Sequence, residues 1–167
     1  GRHGLTLEQT IEAPVRGLAR AEREYGIVGR VIVTALRQLS PATSMDLAHL
    51  AVDYRRDGVV GFDLAGGESG NPAARHAAAF QYASAHGLAC TCHAGEGDGP
   101  GSVYEAIHTC GARRIGHGTR LVEDEAGPLP WRAHLVDDRV RKPAGPMDDR
   151  WRAVAQGDHL ALSARLE

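Results

Sequence analysis

Strand-like and helix-like segments alternate strictly along this chain from residue 6 to residue 118. Strands are predicted at 27–36, 59–62, 88–93 and 113–117, and a segment with helical spacing of apolar residues precedes each of them. Strict alternation with short connections predicts parallel strands joined by right-handed crossovers. Two architectures have this order of elements: an open doubly wound α/β sheet and part of a (β/α)8 barrel.

Capping residues mark the ends of the first two predicted helices. The first begins at Thr6, which can form a capping box with Gln9, and it ends at Gly26. Pro14 lies inside this segment, where a proline removes a hydrogen bond and kinks a helix. The second helix is predicted over 43–57, with its apolar side chains on one side.

The third and fourth predicted helices also have recognisable ends. Asn71 is predicted to cap the third helix, Pro72 suits its first position, and Gly87 suits a left-handed turn at its end. A capping box of Ser102 with Glu105 predicts the start of the fourth helix.

The strand patterns predict which faces of the sheet are buried. Segment 27–36 is rich in β-branched residues and lacks clean alternation, which is typical of a parallel strand covered on both faces. In 88–93 the period of two places Cys90 and Cys92 on one face and His93 on the other. The histidine therefore shares its face with small residues.

Polar side chains lie at or near the ends of three predicted strands. These residues are Asp63, His93 and His117, and each is followed by a glycine-rich stretch. A barrel gathers its reactive groups at the carboxyl ends of several strands in this way. The predicted fold class is therefore α/β, a partial (β/α)8 TIM barrel of about four parallel strands with their helices.

Two of these strand ends have more than one chemical interpretation. His93, with Glu96 three residues later, could supply an imidazole to a metal and a carboxylic acid to a substrate, or it could be a solvated loop histidine. His117 stands between two glycines, where the backbone can approach a ligand closely, or where a tight turn leaves the ring exposed. Local spacing leaves these alternatives open.

Length, composition and charge exclude several classes of partner. The chain has 167 residues with 43% hydrophobic residues and a net charge of -2, which predicts one domain. Its basic residues are scattered, so we expect a small-molecule ligand, and neither a nucleic acid nor a membrane as partner. No apolar stretch is long enough to span a bilayer, and a cytoplasmic location is expected. The glycine-rich segments fit neither G-x-G-x-x-G nor a P-loop.

The cysteines and the other histidines show no spacing typical of a site. Cys90, Cys92 and Cys110 form no C-x-x-C pair, so we predict reduced thiols in the core. The remaining histidines, among them His76, are predicted to lie on the surface or on helix faces.

Taken together, the motifs "GVVGFDLAGGE", "CTCHAGE" and "RRIGHGTRLVED" resemble the adenosine deaminase family, a branch of the metal-dependent amidohydrolases. The motifs occur in family order, and the segment before them also resembles the family, so the resemblance covers about residues 4–124. It implies a (β/α)8 barrel, of which this chain would hold the third to sixth strands. We therefore predict a half-barrel over 1–124 and a non-matching, irregular tail over 125–167.

The resemblance also implies a role for four residues. His93 of "HAGE" resembles a zinc ligand, and Glu96 resembles the acid that protonates the purine ring nitrogen. His117 of "GHG" resembles the histidine that orients or deprotonates the zinc-bound water. Gly66 of "DLAGGE" resembles the glycine whose backbone N–H meets the purine.

These implied roles describe zinc-dependent deamination of adenosine or deoxyadenosine to inosine or deoxyinosine and ammonia, with one Zn²⁺ per site. Zinc lowers the pKa of a bound water from about 15.7 to about 7, which gives a hydroxide that can attack the ring carbon. Glu96 must then meet the purine as a neutral acid, with a pKa raised by burial. The expected partner is a purine nucleoside.

Part of the family's metal site is missing from this sequence. The family takes two ligands from an H-x-H motif, which is absent here, and a further ligand from an Asp-Asp pair after a strand, which is also not found. Catalytic zinc takes at least three protein ligands. We therefore predict a fragment that is inactive alone. The alternatives are a non-catalytic remnant that associates through open sheet edges, and a sister deaminase of adenine or another 6-aminopurine.

Overall fold

Helices and strands alternate throughout residues 4–123, which are the residues that the computed structural model describes. In chain order they are α1 (Leu7–Tyr25), β1 (Val31–Leu36), α2 (Pro41–Asp53), β2 (Val59–Ala65), α3 (Ala77–Ala85), β3 (Ala89–Ala94), α4 (Pro100–His108) and β4 (Arg114–His117). Short 3₁₀ helices span Tyr54–Asp57, Ala73–His76 and Thr119–Glu123. The predicted tail, 125–167, lies outside the described residues.

The four strands form one parallel sheet in the order β1-β2-β3-β4. Each strand therefore lies beside the strand that precedes it in the chain. A doubly wound sheet reverses its strand order at a switch point, whereas a barrel adds its strands in sequence around the ring. Of the two predicted architectures, the observed order of strands favours the partial barrel.

One face of this sheet forms the core against the helices. The inward side chains of β1, β2 and β3 on that face are all buried, and they are Val33, Ala35, Phe62, Leu64, Cys90 and Cys92. Phe62 meets Phe80 of α3 edge to face, with ring centroids 5.2 Å apart. All three cysteines are free and buried, as predicted, and burial raises the pKa of the Cys92 thiol to about 12. These thiols are therefore packing residues.

The opposite face of the sheet is open in the described part of the chain. Ile32, Thr34 and Leu36 of β1 all point to this face, where Ile32 is 48% and Leu36 45% exposed. The prediction that β1 is covered on both faces is therefore wrong for these residues. In a closed barrel the same face points to the interior, where side chains of the other strands fill it.

The ends of α1 match the sequence prediction, and those of α2 differ from it. Thr6 accepts from the backbone N–H of Gln9 and forms the capping box, and Gly26 ends α1 with a φ of 67°. The helix continues through Pro14. The second helix begins before the predicted residue 43, because Ser40 caps it, and its last predicted residues form a 3₁₀ turn.

Two predicted helix caps are wrong because their side chains make other contacts. The Asn71 amide donates to the carbonyls of Gly67 and Ser69 in the preceding loop, and it does not cap the third helix. The Ser102 hydroxyl donates to the carboxylate of Glu68 at 2.8 Å, and α4 begins two residues earlier with no side-chain cap. Both polar groups fix loops at the edge of the sheet.

The observed bounds of β1 and β2 also differ from the predicted ones. Residues 27–30 lie outside β1, and Ile27 and Val28 are exposed in the connection from α1. By contrast, β2 extends past the predicted residue 62 to Ala65, so that Asp63 lies within the strand. Its pairing with β1 continues to that end, where Leu36 faces Ala65.

The prediction that His76 is a surface or helix-face residue is wrong. Its ring is buried, with Nδ1 2.8 Å from the Ser44 hydroxyl and Nε2 3.3 Å from the carbonyl oxygen of Arg37. Burial lowers the pKa of His76 from its usual value. The ring therefore connects α2 with the end of β1 and has no route to a substrate.

No helix between residues 4 and 123 has the length and apolar character that a membrane crossing requires.

Candidate active site

Two histidines meet at the carboxyl ends of β3 and β4. His93 pairs with Gly116 in the parallel ladder, and Ala94 pairs with His117, so the two imidazoles lie on adjacent strands. Their ring centroids are 5.4 Å apart with the rings inclined at 60°. Within β3, Cys90 is buried and His93 is partly exposed, so the predicted alternation of faces is confirmed.

The backbone around these histidines has features that only particular residues allow. A Cβ on Gly116 would lie 2.7 Å from Cδ2 of the His93 ring, so a side chain at this position would push the ring away. His117 has a φ of 66°, which is unusual for a residue other than glycine. Strained backbone of this kind costs about 1–3 kcal/mol and clusters at functional sites. The turn after β4 is closed by the Gly118 N–H, which donates to the Ala94 carbonyl.

Glu96 reaches the same place from the loop after β3. Its Oε2 lies 3.3 Å from Nε2 of His117. The structure therefore brings His93, Glu96 and His117 together at one edge of the sheet. Their catalytic and metal-binding roles stay predictions.

The expected burial of Glu96 is wrong for the described part of the chain. Its side chain is 66% exposed where it extends from the loop after β3. A carboxyl that must stay protonated near neutral pH needs a drier environment. That environment would have to come from outside these residues.

Gly66 lies on the turn that follows β2, at the same edge of the sheet as the other predicted site residues. Its φ is 99°, a conformation that favours glycine. A side chain at Gly66 would collide with the amide of Gln38. Its predicted contact with a purine stays a prediction.

Asp63 orients the His93 ring, a role that the sequence did not reveal. Oδ2 of Asp63 lies 3.0 Å from Nδ1 of His93, and the Thr34 hydroxyl donates to the same oxygen at 3.3 Å. Because a carboxylate only accepts hydrogen bonds, this contact places the ring proton on Nδ1. Nε2 is then the nitrogen that can coordinate a metal, an arrangement typical of metal-binding histidines.

We expect the Asp63→Asn variant to lose the single tautomer of His93. An amide can donate or accept, so it no longer holds the ring proton on Nδ1. In a complete metal site the same change should lower zinc affinity about 10–100-fold. ¹⁵N NMR of the imidazole nitrogens measures the tautomer, and Asp46→Asn on the exposed side of α2 is the matched control. A wild-type ring protonated mainly on Nε2 would contradict the assignment.

The carboxylate of Glu68 binds the loop that carries Glu96. It is buried and accepts hydrogen bonds from the backbone N–H groups of Gly95, Glu96, Gly97 and Asp98 as well as from the Ser102 hydroxyl. Burial alone would raise the pKa of Glu68, but the bonds from Ser102 and the loop outweigh burial and lower it. Glu68 therefore stays ionised inside the protein.

The described residues match a zinc site only in part. His93 presents a correctly oriented nitrogen, and His117 and Glu96 lie beside it. However, no three His, Cys, Asp or Glu side chains between residues 4 and 123 are placed to hold one metal ion. Catalytic zinc takes three ligands from the protein. Residues 4–123 therefore do not form a complete zinc site.

The fold and the site together define a class of protein. Parallel strands in sequential order, with imidazole and carboxyl groups at their carboxyl ends, are the arrangement found at the active face of (β/α)8-barrel enzymes. The family model described as adenosine deaminase matches residues 1–143. This chain belongs to the adenosine deaminase family.

Relatives of known name agree with this assignment. The chain is 44% identical over 149 residues to an adenosine deaminase from Mycolicibacterium gilvum, which covers 82% of this chain and 41% of that protein. It is 45% identical over 131 residues to an adenosine deaminase from Mycobacterium marinum, with 75% of this chain and 36% of that protein covered. The chain thus spans about two fifths of the length of these relatives.

Solved structures of similar fold confirm the partial barrel. An adenine deaminase from Arthrobacter aurescens superposes with a TM-score of 0.67 at 27% identity, covering 75% of this chain and 38% of that one. An amidohydrolase from Burkholderia ambifaria with bound zinc gives a TM-score of 0.67 at 28% identity, covering 72% of this chain and 34% of that one. The described strands are therefore a segment of a (β/α)8 barrel.

Proposed function

We propose that this chain carries the proton-transfer half of a zinc-dependent deaminase site that converts adenosine or deoxyadenosine to inosine or deoxyinosine and ammonia. The observation that supports this most directly is the convergence of Glu96 and His117 beside His93, whose ring Asp63 holds in one tautomer. The similarity to the Mycolicibacterium gilvum adenosine deaminase, at 44% identity, supports the same reaction. The partner is a small purine nucleoside.

The chemistry of the reaction fits these side chains. Deamination adds a water oxygen to the ring carbon that bears the amino group, and the same carbon then loses ammonia. Glu96 would give its proton to the neighbouring ring nitrogen, which makes that carbon electrophilic. His117, which lies 3.3 Å from Glu96, would orient the attacking water and accept its proton. Gly66 would offer its backbone N–H to the purine.

We further propose that the chain alone is inactive. Between residues 4 and 123, His93 would supply one of the three ligands that catalytic zinc requires, and the Glu96 side chain lies in solvent. The open strand edges of β1 and β4 would then favour self-association or pairing with another chain. We infer a cytoplasmic location, which the free thiols Cys90, Cys92 and Cys110 support.

A sister specificity is the second candidate. The adenine deaminase from Arthrobacter aurescens shares the fold of the described strands. The roles proposed for Glu96 and His117 would concern only the 6-amino end of a purine. Adenine and adenosine share that end. A ribose-binding group would distinguish them.

A chimera tests the proposed function. In this barrel chimera, residues 4–123 replace the matching segment of the Mycolicibacterium gilvum adenosine deaminase, which restores a complete barrel around the Glu96 site. The barrel chimera and the unaltered 167-residue chain are each incubated with adenosine, deoxyadenosine or adenine, and inosine, deoxyinosine and hypoxanthine are measured by chromatography. Bound zinc is measured on both by metal analysis.

We expect the barrel chimera to bind zinc and to form inosine from adenosine, and the 167-residue chain to do neither. Inosine formation by the chain alone would overturn the proposed inactivity. Preferential formation of hypoxanthine from adenine would favour the second candidate. A folded, zinc-replete barrel chimera without any product would show that the segment is a non-catalytic remnant.

A further inference from the structure

The β3–α4 loop, 95–98, folds around one buried carboxylate. Oε1 of Glu68 accepts from the Gly95 N–H at 2.7 Å and from the Ser102 hydroxyl at 2.8 Å. Oε2 accepts from the N–H groups of Glu96 and Asp98, each at 2.9 Å, and also from Gly97. Successive N–H groups that point inward in this way form an anion-binding nest. Here the anion is part of the protein.

The opposite side of the same loop is held by the residues after β4. The Gly95 carbonyl accepts from the Arg120 N–H at 2.8 Å and from the Thr119 hydroxyl at 3.0 Å, and the Gly97 carbonyl accepts from the Arg120 guanidinium at 3.4 Å. Glu68 thus binds the donors of the loop while the residues after β4 bind its acceptors. The backbone of Glu96 lies between the two sets of bonds.

A buried arginine connects this carboxylate to β3, the strand that carries His93. Nη2 of Arg37 lies 3.9 Å from Oε1 of Glu68 and donates to the carbonyl oxygen of His93 at 2.9 Å. Both side chains of the pair are almost completely buried. One ion pair therefore contacts the strand that carries the imidazole and the loop that carries the acid.

We propose that Glu68 is a positioning residue for the proton donor Glu96, acting through the loop backbone and without touching the substrate. The inference rests on the proposed function, because Glu96 is the acid of that reaction. The Glu96 side chain is 66% exposed and extends towards His117, so its direction depends on the conformation of the loop that carries it. Glu68 fixes that loop at four consecutive N–H groups.

The Glu68→Gln variant tests this, because it replaces a single heavy atom of the side chain. An amide has one accepting oxygen, so whichever way it points, either the two donors on Oε1 or the three donors on Oε2 lose their acceptor and face an NH₂ group. Glu105→Gln is the matched control, since Glu105 lies on α4 near the same loop but its carboxylate makes none of these bonds. Both variants are prepared in the full 167-residue chain.

Two NMR measurements on the ¹⁵N,¹³C-labelled chain report on the loop and on the acid. Amide hydrogen exchange of 95–98 should become at least about 10-fold faster in Glu68→Gln, the effect of losing a charged hydrogen bond, while exchange in β1 and β2 stays unchanged. The nuclear Overhauser contacts between the Glu96 γ protons and the His117 ring should disappear in the same variant. Glu105→Gln should leave both readouts as they are in the wild type.

Retained contacts between Glu96 and His117 in a folded Glu68→Gln variant would overturn the proposal, since the loop would then not depend on the carboxylate. If that variant does not fold, amide hydrogen exchange is measured on the wild-type chain. Amides 95–98 that exchange as slowly as those in the interior of β3 support the inference, whereas exchange as fast as in exposed loops overturns it. None of these readouts requires deaminase activity. Failure of the proposed function would leave them unchanged.

Discussion

Replacing Glu96 with glutamine lowers the kcat of the barrel chimera for adenosine by about 10²–10⁴-fold, the usual contribution of a general acid. Glutamine has nearly the same shape and can still donate a hydrogen bond, but it cannot transfer a proton to the purine ring nitrogen. We therefore expect KM to change little, because the loss concerns an interaction made in the transition state. Steady-state kinetics with adenosine at pH 7 measures both constants.

The matched control for this prediction is Glu105→Gln, which makes the same chemical change on α4 and should leave kcat within about twofold of the parent barrel chimera. Zinc content should be the same in the parent and in both variants, because Glu96 is not a predicted ligand. A raised KM with an unchanged kcat would assign Glu96 to substrate binding and contradict its role as the acid.

Sequence periodicity predicted the elements whose geometry is local. The alternation of helices and strands, the capping box at Thr6 and the division of β3 into a buried cysteine face and a histidine face all follow from spacing over a few residues. The position of His93, Glu96 and His117 at one edge follows from parallel strands, since their carboxyl ends meet there. Together these account for the candidate site.

One group of errors arose where a polar side chain binds a distant segment. Ser102 was expected to cap its own helix, but its hydroxyl donates to Glu68, 34 residues away. Asp63 was recognised as a strand-end residue, but its contact with His93 depends on the register between neighbouring strands. Spacing within one segment contains no information about such partners. The carboxylate of Glu68, directly after "DLAGG", has no partner within its own segment. The sequence alone therefore shows it only as a polar residue in a loop.

The exposure of Glu96 also depends on residues far away in the sequence. A general acid becomes effective when burial keeps its proton on, and burial is a property of the whole barrel. The described residues place Glu96 beside His117 and leave its side chain in solvent. The position of Glu96 is thus determined by this segment, whereas the burial that its predicted role requires would depend on parts of a barrel that residues 4–123 do not contain.

Arg37→Met is expected to lower the free energy of unfolding of the 167-residue chain by about 3–5 kcal/mol, the cost of removing one partner of a buried ion pair. The guanidinium is fully buried, and besides its 3.9 Å contact with Glu68 it donates to the carbonyls of Asn71 and His93. Methionine fills similar volume but leaves the carboxylate without its counter-charge. Urea unfolding followed by circular dichroism measures the change.

A comparison with an exposed pair and a double variant separates charge from packing. Arg16→Met removes the partner of Glu12 on α1, where both side chains face solvent, and should cost at most about 0.5 kcal/mol. The double variant Arg37→Met with Glu68→Gln leaves no unpaired charge, so it should be more stable than the sum of the single effects predicts. Strict additivity of the two single changes would show that Arg37 acts through its carbonyl contacts alone, and the ion pair would then not be what joins the strand of His93 to the loop of Glu96.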